Sequence, residues 1–148
     1  KFLGFQKIDE LMPKLGLIVL SSISEGQPLV MLEGYAAGVP SVATDVGACR
    51  QLVYGFGHED EKLGASGRIV NIADPEALAR ACLELLTDDE AWRAAQRASI
   101  DRVEKFYTQE RMFESYRVIY ERLLALPSVA RAGAAGGKRA SAKHPLHA

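Results

Sequence analysis

Residues 24–45 read SEGQPLVMLEGYAAGVPSVATD, and they leave the chain few ways to fold. Gly26-Gln27-Pro28 is a turn. Pro28 suits the first position of a helix, because its φ is preset and its missing N–H would have had no partner there. Leu29, Val30, Met31, Leu32, Tyr35, Ala36 and Ala37 then run almost all the way round, which predicts a helix buried on more than one side. Gly38 and Pro40 stop it. On either side lie short runs, Leu17 to Leu20 and Ser41 to Thr44, of strand length. The first is apolar throughout and predicts a strand covered on both faces. With a third strand at Arg68-Ile69-Val70, this alternation predicts an α/β fold with a parallel sheet wound by crossover helices.

The same stretch carries the chemistry. Glu25 precedes the turn, and Glu33 is the sole charge inside the helix, a setting in which a carboxylate needs a partner. Gly26 lets a backbone come close to a ligand. The opening turn offers N–H groups at Gln27, Leu29 and Val30 at the positive end of the helix dipole, a ready anion seat. Glu25 and Glu33 can accept hydrogen bonds from sugar or ribose hydroxyls on either side of a phosphate. The turn follows the C-terminal end of a strand, where open α/β sheets bind ligands, and Asp45 ends the next strand at the same crevice. Spacing alone favours a plainer account, with Glu25 as a cap and Glu33 on a solvated edge.

Elsewhere the chain reads mainly as scaffold. Ile8 to Leu15 predicts a short helix interrupted near Pro13, and Cys49 to Val53 another. Residues 54–66 read as a glycine-punctuated surface loop. Asp74-Pro75-Glu76 is a helix start with Asp74 as N-cap, followed by the stripe Leu78, Cys82 and Leu85. Thr87 and Glu90 read as a capping box for the next helix, whose core stripe is Trp92, Ala95, Ser99 and Val103. Thr108 caps a last helix with an aromatic stripe of Phe113, Tyr116, Tyr120 and Leu123, a docking face for this domain or another. Residues 1–126 thus read as one partial domain, and 127–148 as a disordered basic Ala/Gly-rich tail.

That tail holds Arg131, Lys138, Arg139 and Lys143 and no acid, leaving 14 basic against 19 acidic residues in the body. An acidic body argues against nucleic acid as a partner. Cys49 and Cys82 form neither a disulfide framework nor a ligand cluster, and a reducing cytoplasm is the expected compartment. His58, His144 and His147 are scattered, so no metal is expected. The start, Lys1-Phe2-Leu3-Gly4-Phe5, has no initiator Met or signal peptide and reads as the inside of an excised domain.

The run SSISEGQPLVMLEGYAAGVPSVATDVGACRQLV resembles the C-terminal signature of the family 4 retaining glycosyltransferases. Glu25 and Glu33 match that family's two-glutamate motif, in order with Glu-Gly-x-Pro-Leu, Ala-Ala-Gly-Val-Pro and Val-Ala-Thr-Asp-Val-Gly. Details at Ile23–Leu29 and Asp45–Arg50 are most similar to the branch associated with Pel exopolysaccharide synthesis. The resemblance implies the C-terminal part of a GT-B Rossmann-like domain: a parallel sheet with flanking helices and a helical C-terminal end. It implies a nucleotide-sugar donor, UDP-glucose or a related UDP-hexose, and transfer to a growing polysaccharide acceptor without a metal or other cofactor. A missing N-terminal GT-B domain and a membrane-associated synthase complex are the implied partners. By position, Glu33 would bind the ribose, Glu25 would be the catalytic group beside the sugar, Gly26, Gln27 and Pro28 would shape the turn, and Leu29 and Val30 would offer N–H groups to the diphosphate. Gln51 stands where the family often has Glu, and 55–66 is longer than usual. The basic grip on the diphosphate would precede Lys1, so the isolated chain is expected to be inactive.

Two other classes stay open. One is a noncatalytic module that binds a partner through the aromatic stripe. The other is a related enzyme, an epimerase or phosphorylase, although Lys7 and Lys14 are poorly set for a lysine-bound pyridoxal phosphate.

Overall fold

The computed structural model describes residues 1–2 and 4–125. The predicted tail therefore lies outside the described residues. By internal contacts the chain divides into Lys1–Arg111 and Met112–Ala148.

Three strands, β1 (Ile18–Leu20), β2 (Ser41–Thr44) and β3 (Gly67–Val70), form a parallel sheet in the order β1-β2-β3. Ile18 sits beside Ser41, and Ser41 beside Gly67. β2 is central, and all four of its residues are buried. Because neighbouring strand residues face opposite ways, Val42 and Ala43 feed different cores. Ala43 packs with Met31 and Tyr35 of α2 (Leu29–Ala36) and with Cys49, Leu52 and Val53 of α3 (Cys49–Tyr54). Val42 packs with Ala81 and Leu85 of α5 (Pro75–Thr87) and Ala95 of α6 (Asp89–Phe106). The earlier α1 (Ile8–Leu11) runs into a short 3-10 turn at Met12–Lys14, and Met12 joins Ile18 and Val39 in a third cluster.

Several expectations need correction. β1 is not covered on both faces. Ile18 is buried, but Val19, beside Val42 on the α5 face, is half exposed, because α5 lies over β2 and β3 and β1 is an edge strand here. The helix expected to be buried on more than one side packs into two clusters, through Met31 and Tyr35 and through Val30 and Ala37, but keeps an open face at Leu29, Glu33 and Ala36. Glu33 therefore needs no internal partner. Pro28 is the N-cap of α2 rather than its first residue, one position from the expected start. The 54–66 stretch contains α4 (His58–Glu61), whose Asp60 is buried. Asp74 does cap α5, accepting the Ala77 N–H at 2.8 Å. The expected Thr87–Glu90 box is replaced by Asp88, which accepts from the Glu90 and Ala91 amides, while Thr87 donates back to the Leu83 carbonyl. The Asp88 carboxylate, one residue later, takes the N-cap role and satisfies two of the first-turn amides.

α6 carries a polar row along its buried face. The Trp92 indole N–H donates to the Gly16 carbonyl at 2.6 Å, Gln96 to the Gly38 carbonyl at 3.1 Å, and the Ser99 hydroxyl to the Ala95 carbonyl at 2.7 Å. Arg102 is fully buried and holds Asp60, the Val53 and Gly64 carbonyls and the Ser66 hydroxyl. Gly16, Gly38 and Ser66 each lie just before a strand. One helix thus anchors the N-terminal ends of all three strands, which leaves the loops at their C-terminal ends to carry the site.

α7 (Gln109–Ala125) begins where the Thr108 hydroxyl accepts the Arg111 N–H. Its Phe113, Tyr116, Tyr120 and Leu123 are exposed, with Tyr116 and Tyr120 stacked at 6.4 Å between centroids.

Candidate functional site

Two loops meet at the C-terminal ends of β1 and β2. The first, 21–28, leaves β1 and carries Glu25. The second, 45–48, leaves β2. The Thr44 hydroxyl donates to the Ser22 carbonyl at 2.5 Å, and the Ala48 N–H donates to the Gly26 carbonyl at 2.8 Å. The Ser22 hydroxyl donates to Glu25 Oε1 at 2.6 Å, which fixes one carboxylate oxygen and leaves Oε2 to accept from elsewhere. Glu25 is half-buried, whereas Gly26 and Gln27 are exposed. A Cβ on Gly26 would meet nothing within 4 Å, so a ligand can approach that backbone closely.

α2 follows directly. No side chain caps its N-terminus, and Pro28 supplies no N–H, so the first-turn amides of Leu29 and Val30 stay available to an anion. Glu33 lies on the exposed face one turn beyond Leu29, about 6 Å along the axis. Every residue named from the sequence, Glu25, Gly26, Gln27, Pro28, Leu29, Val30 and Glu33, therefore lies on one continuous turn and helix start. Pro28 differs from the rest in being buried.

Asp45 opens the loop after β2 and is already engaged. Arg50 grips it with Nε at 3.1 Å from both carboxylate oxygens and Nη2 at 2.5 Å from Oδ2. That hydrogen bond, more than the charge alone, holds the Asp45 carboxyl below its ordinary range. Arg50 also lies over the Tyr54 ring, 5.8 Å from its centroid, and the Tyr54 hydroxyl accepts the Ile69 N–H. Burial, with the Glu25 carboxylate as a lesser contribution, pushes the Cys49 thiol up, which makes a reactive thiolate unfavourable. Neither cysteine is in a disulfide, and among the described residues no cluster of His, Cys, Asp or Glu could hold a metal ion. No helix of the described residues is long and apolar enough to cross a membrane.

Sequence reasoning missed Ser22, Thr44, Gly47 and Ala48 as parts of this site. The short spacing of Ser22 before Glu25 was a legible signal for the first. The others act across 22 residues or more, and only the pairing of β1 with β2 brings them close.

Comparison with known proteins shows the family of the chain. Residues 1–88, more than half of the chain, match the family described as Glycosyl transferases group 1. Over 120 residues the chain is 29% identical to N-acetyl-alpha-D-glucosaminyl L-malate synthase of Bacillus anthracis, covering 80% of this chain and 29% of that protein. Over 110 residues it is 34% identical to the lipopolysaccharide core biosynthesis mannosyltransferase LpsB of Rhizobium meliloti (strain 1021), covering 74% of this chain and 30% of that protein. The chain thus spans less than a third of the length of these relatives. Among solved structures it is similar to sucrose-phosphate synthase from Thermosynechococcus elongatus, with a TM-score of 0.63 and 27% identity over 74% of this chain and 26% of that one. The C-terminal domain of the glycosyl transferase group 1 family protein LpcC from Francisella tularensis shares the fold, with a TM-score of 0.58 and 21% identity over 74% of this chain and 52% of that one.

Proposed function

Because this chain belongs to the group 1 glycosyl transferases, we propose that it is the donor-binding part of a retaining glycosyltransferase that moves a hexose from a UDP-sugar, UDP-glucose or a close relative, to a growing polysaccharide. The observation that carries the proposal is the placement of the Glu25 turn. It leaves the C-terminal end of β1, and the helix it opens has uncapped first-turn amides and an exposed Glu33 one turn on.

In this reading Glu33 accepts the ribose hydroxyls, the Leu29 and Val30 amides hold the diphosphate, and Glu25 stands beside the sugar. The acceptor hydroxyl attacks on the face that the diphosphate leaves: the bond from the sugar carbon to the diphosphate oxygen breaks, the new glycosidic bond forms, and the hydroxyl proton passes to the departing phosphate oxygen. The oxocarbenium-like charge is stabilised by the departing phosphate and by the Glu25 carboxylate, which Ser22 holds in place. A helix N-terminus balances diphosphate charge without a metal. A hexose donor is supported by the names of two relatives, N-acetyl-alpha-D-glucosaminyl L-malate synthase and the mannosyltransferase LpsB. An N-terminal GT-B domain supplies the acceptor side, and transfer in the cytoplasm beside a membrane-associated synthase complex making exopolysaccharide is the setting this reading favours.

The test is calorimetric titration of UDP and UDP-glucose into the full-length protein, beside Glu33→Ala. Removing a charge-assisted hydrogen-bond partner should weaken UDP by ~1.5–3 kcal/mol, or about tenfold or more. Unchanged affinity in the variant, or no nucleotide binding by the wild type, would refute the donor-site reading.

A further inference from the structure

We infer that the end of β2 and the loop after it, Thr44 to Ala48, position the Glu25 turn, with Gly47 as the residue that lets the two loops close. This rests on the donor-site reading above and adds residues outside the Glu25–Glu33 segment to it.

Four contacts carry the inference. Thr44, only 5% exposed, holds the Ser22 carbonyl by its hydroxyl at 2.5 Å and lies 3.4 Å from the Leu20 carbonyl. Ser22, so held, donates to the Glu25 carboxylate at 2.6 Å. Ala48 holds the Gly26 carbonyl at 2.8 Å. Gly47 has φ +52°, and a Cβ there would run into the carbonyl oxygens of Glu25 and Gly26 and stand 2.7 Å from the Glu25 carbonyl carbon. These are backbone atoms, so no side chain can swing aside. Reaching ordinary carbon–carbon contact would displace the turn by about 0.8 Å.

The comparison with Gly26 is informative. Space around Gly26 is open, so nothing in the described chain demands a glycine there, whereas Gly47 is demanded by the Glu25 turn itself. A second loop, outside the Glu25–Glu33 segment, thereby sets where the Glu25 carboxylate points. A shift approaching 1 Å at a reacting centre can cost on the order of a hundredfold in rate.

The experiment uses the full-length protein, with Gly47→Ala, Thr44→Val and Ser22→Ala beside wild type and Glu33→Ala. UDP and UDP-glucose affinities are measured by calorimetry, and UDP release from UDP-glucose is followed with water as acceptor. Because UDP lacks the sugar, mispositioned Glu25 should leave UDP affinity within about twofold while UDP release falls at least roughly tenfold. That split separates positioning from a general loss of structure, which would weaken UDP and UDP-glucose together. Wild-type release by Gly47→Ala, or equal weakening of both ligands, overturns the inference while the Glu33→Ala result still upholds the donor site. If Gly47→Ala fails to fold, Thr44→Val and Ser22→Ala decide: the same split in either supports the inference, and its absence in both overturns it. A wild type that binds neither ligand overturns the donor-site reading and this inference together.

Discussion

Replacing Arg102 with Met should destabilise the protein more than almost any other single change in the Lys1–Arg111 unit. The guanidinium has five N–H donors, and its five bonds use them all. Nε reaches Asp60 Oδ1 at 2.6 Å, Nη1 the Val53 carbonyl at 3.0 Å and the Ser66 hydroxyl, and Nη2 the Asp60 and Gly64 carbonyls at 3.1 and 2.8 Å. Met keeps the apolar stem and removes all five. The Val53 carbonyl still has the Ser66 N–H, and Asp60 Oδ2 still has the Phe56 N–H. The Asp60 charge, 2% exposed, is left without its counterion.

Removing one partner of a buried ion pair costs about 3–5 kcal/mol, a large share of the ~5–15 kcal/mol that holds a domain together. With a urea m-value of about 2 kcal/mol/M, the midpoint should fall by roughly 1.5–2.5 M. Urea denaturation followed by circular dichroism reads this directly. Adding Asp60→Leu to Arg102→Met should recover part of the loss, since the orphaned charge is then gone. A single variant that loses less than ~1 kcal/mol, or a double variant worse than the sum of the two singles, would refute the account of Arg102 as a desolvated anchor.

Two further outcomes follow from the geometry. Gly67→Ala puts a Cβ against the Ser41 carbonyl in the middle of the sheet, so thermal melting should show a loss of ~1–3 kcal/mol, and an unchanged melting temperature would contradict the close β2–β3 approach. The exposed Asp45–Arg50 pair should contribute only slightly to stability at neutral pH. Arg50 lowers the folded Asp45 carboxyl from 3.8, so as pH falls the unfolded chain takes up its proton first. The pair's contribution is therefore whole above pH 3.8 and fades as pH drops through the folded value. Urea midpoints of wild type and Arg50→Met should differ at pH 7 and converge below pH 3.8, and a gap that widens in acid would contradict this sign.

The Asp74 cap, the Thr108 cap, the β2 run and the Glu25–Glu33 segment were all legible in the sequence, because each is a local matter. A cap reaches two or three residues, a strand shows its own pattern, and a turn with its helix start is continuous in the chain. Local pattern also went wrong in a consistent way. The Leu17–Leu20 run promised two covered faces, but Val19 stands open because cover depends on where α5 lies. The apolar run of residues 29–37 promised a helix buried on more than one side, but gave no sign that Leu29 and Glu33 would share its open face.

Arginine is among the side chains least often buried, so neither Arg102 nor its partner Asp60 stood out from the charged surface of a loop and a helix. They are 42 residues apart, and only the fold makes them a pair. The same holds at the site. The sequence by itself determined which residues form the turn, the amides and the two carboxylates, because these sit within one short segment. Only the tertiary structure decided what aims them, because parallel pairing of β1 with β2 brings Thr44, Gly47 and Ala48 against a loop some twenty residues earlier, and hydrogen bonds and excluded volume act through space rather than along the chain.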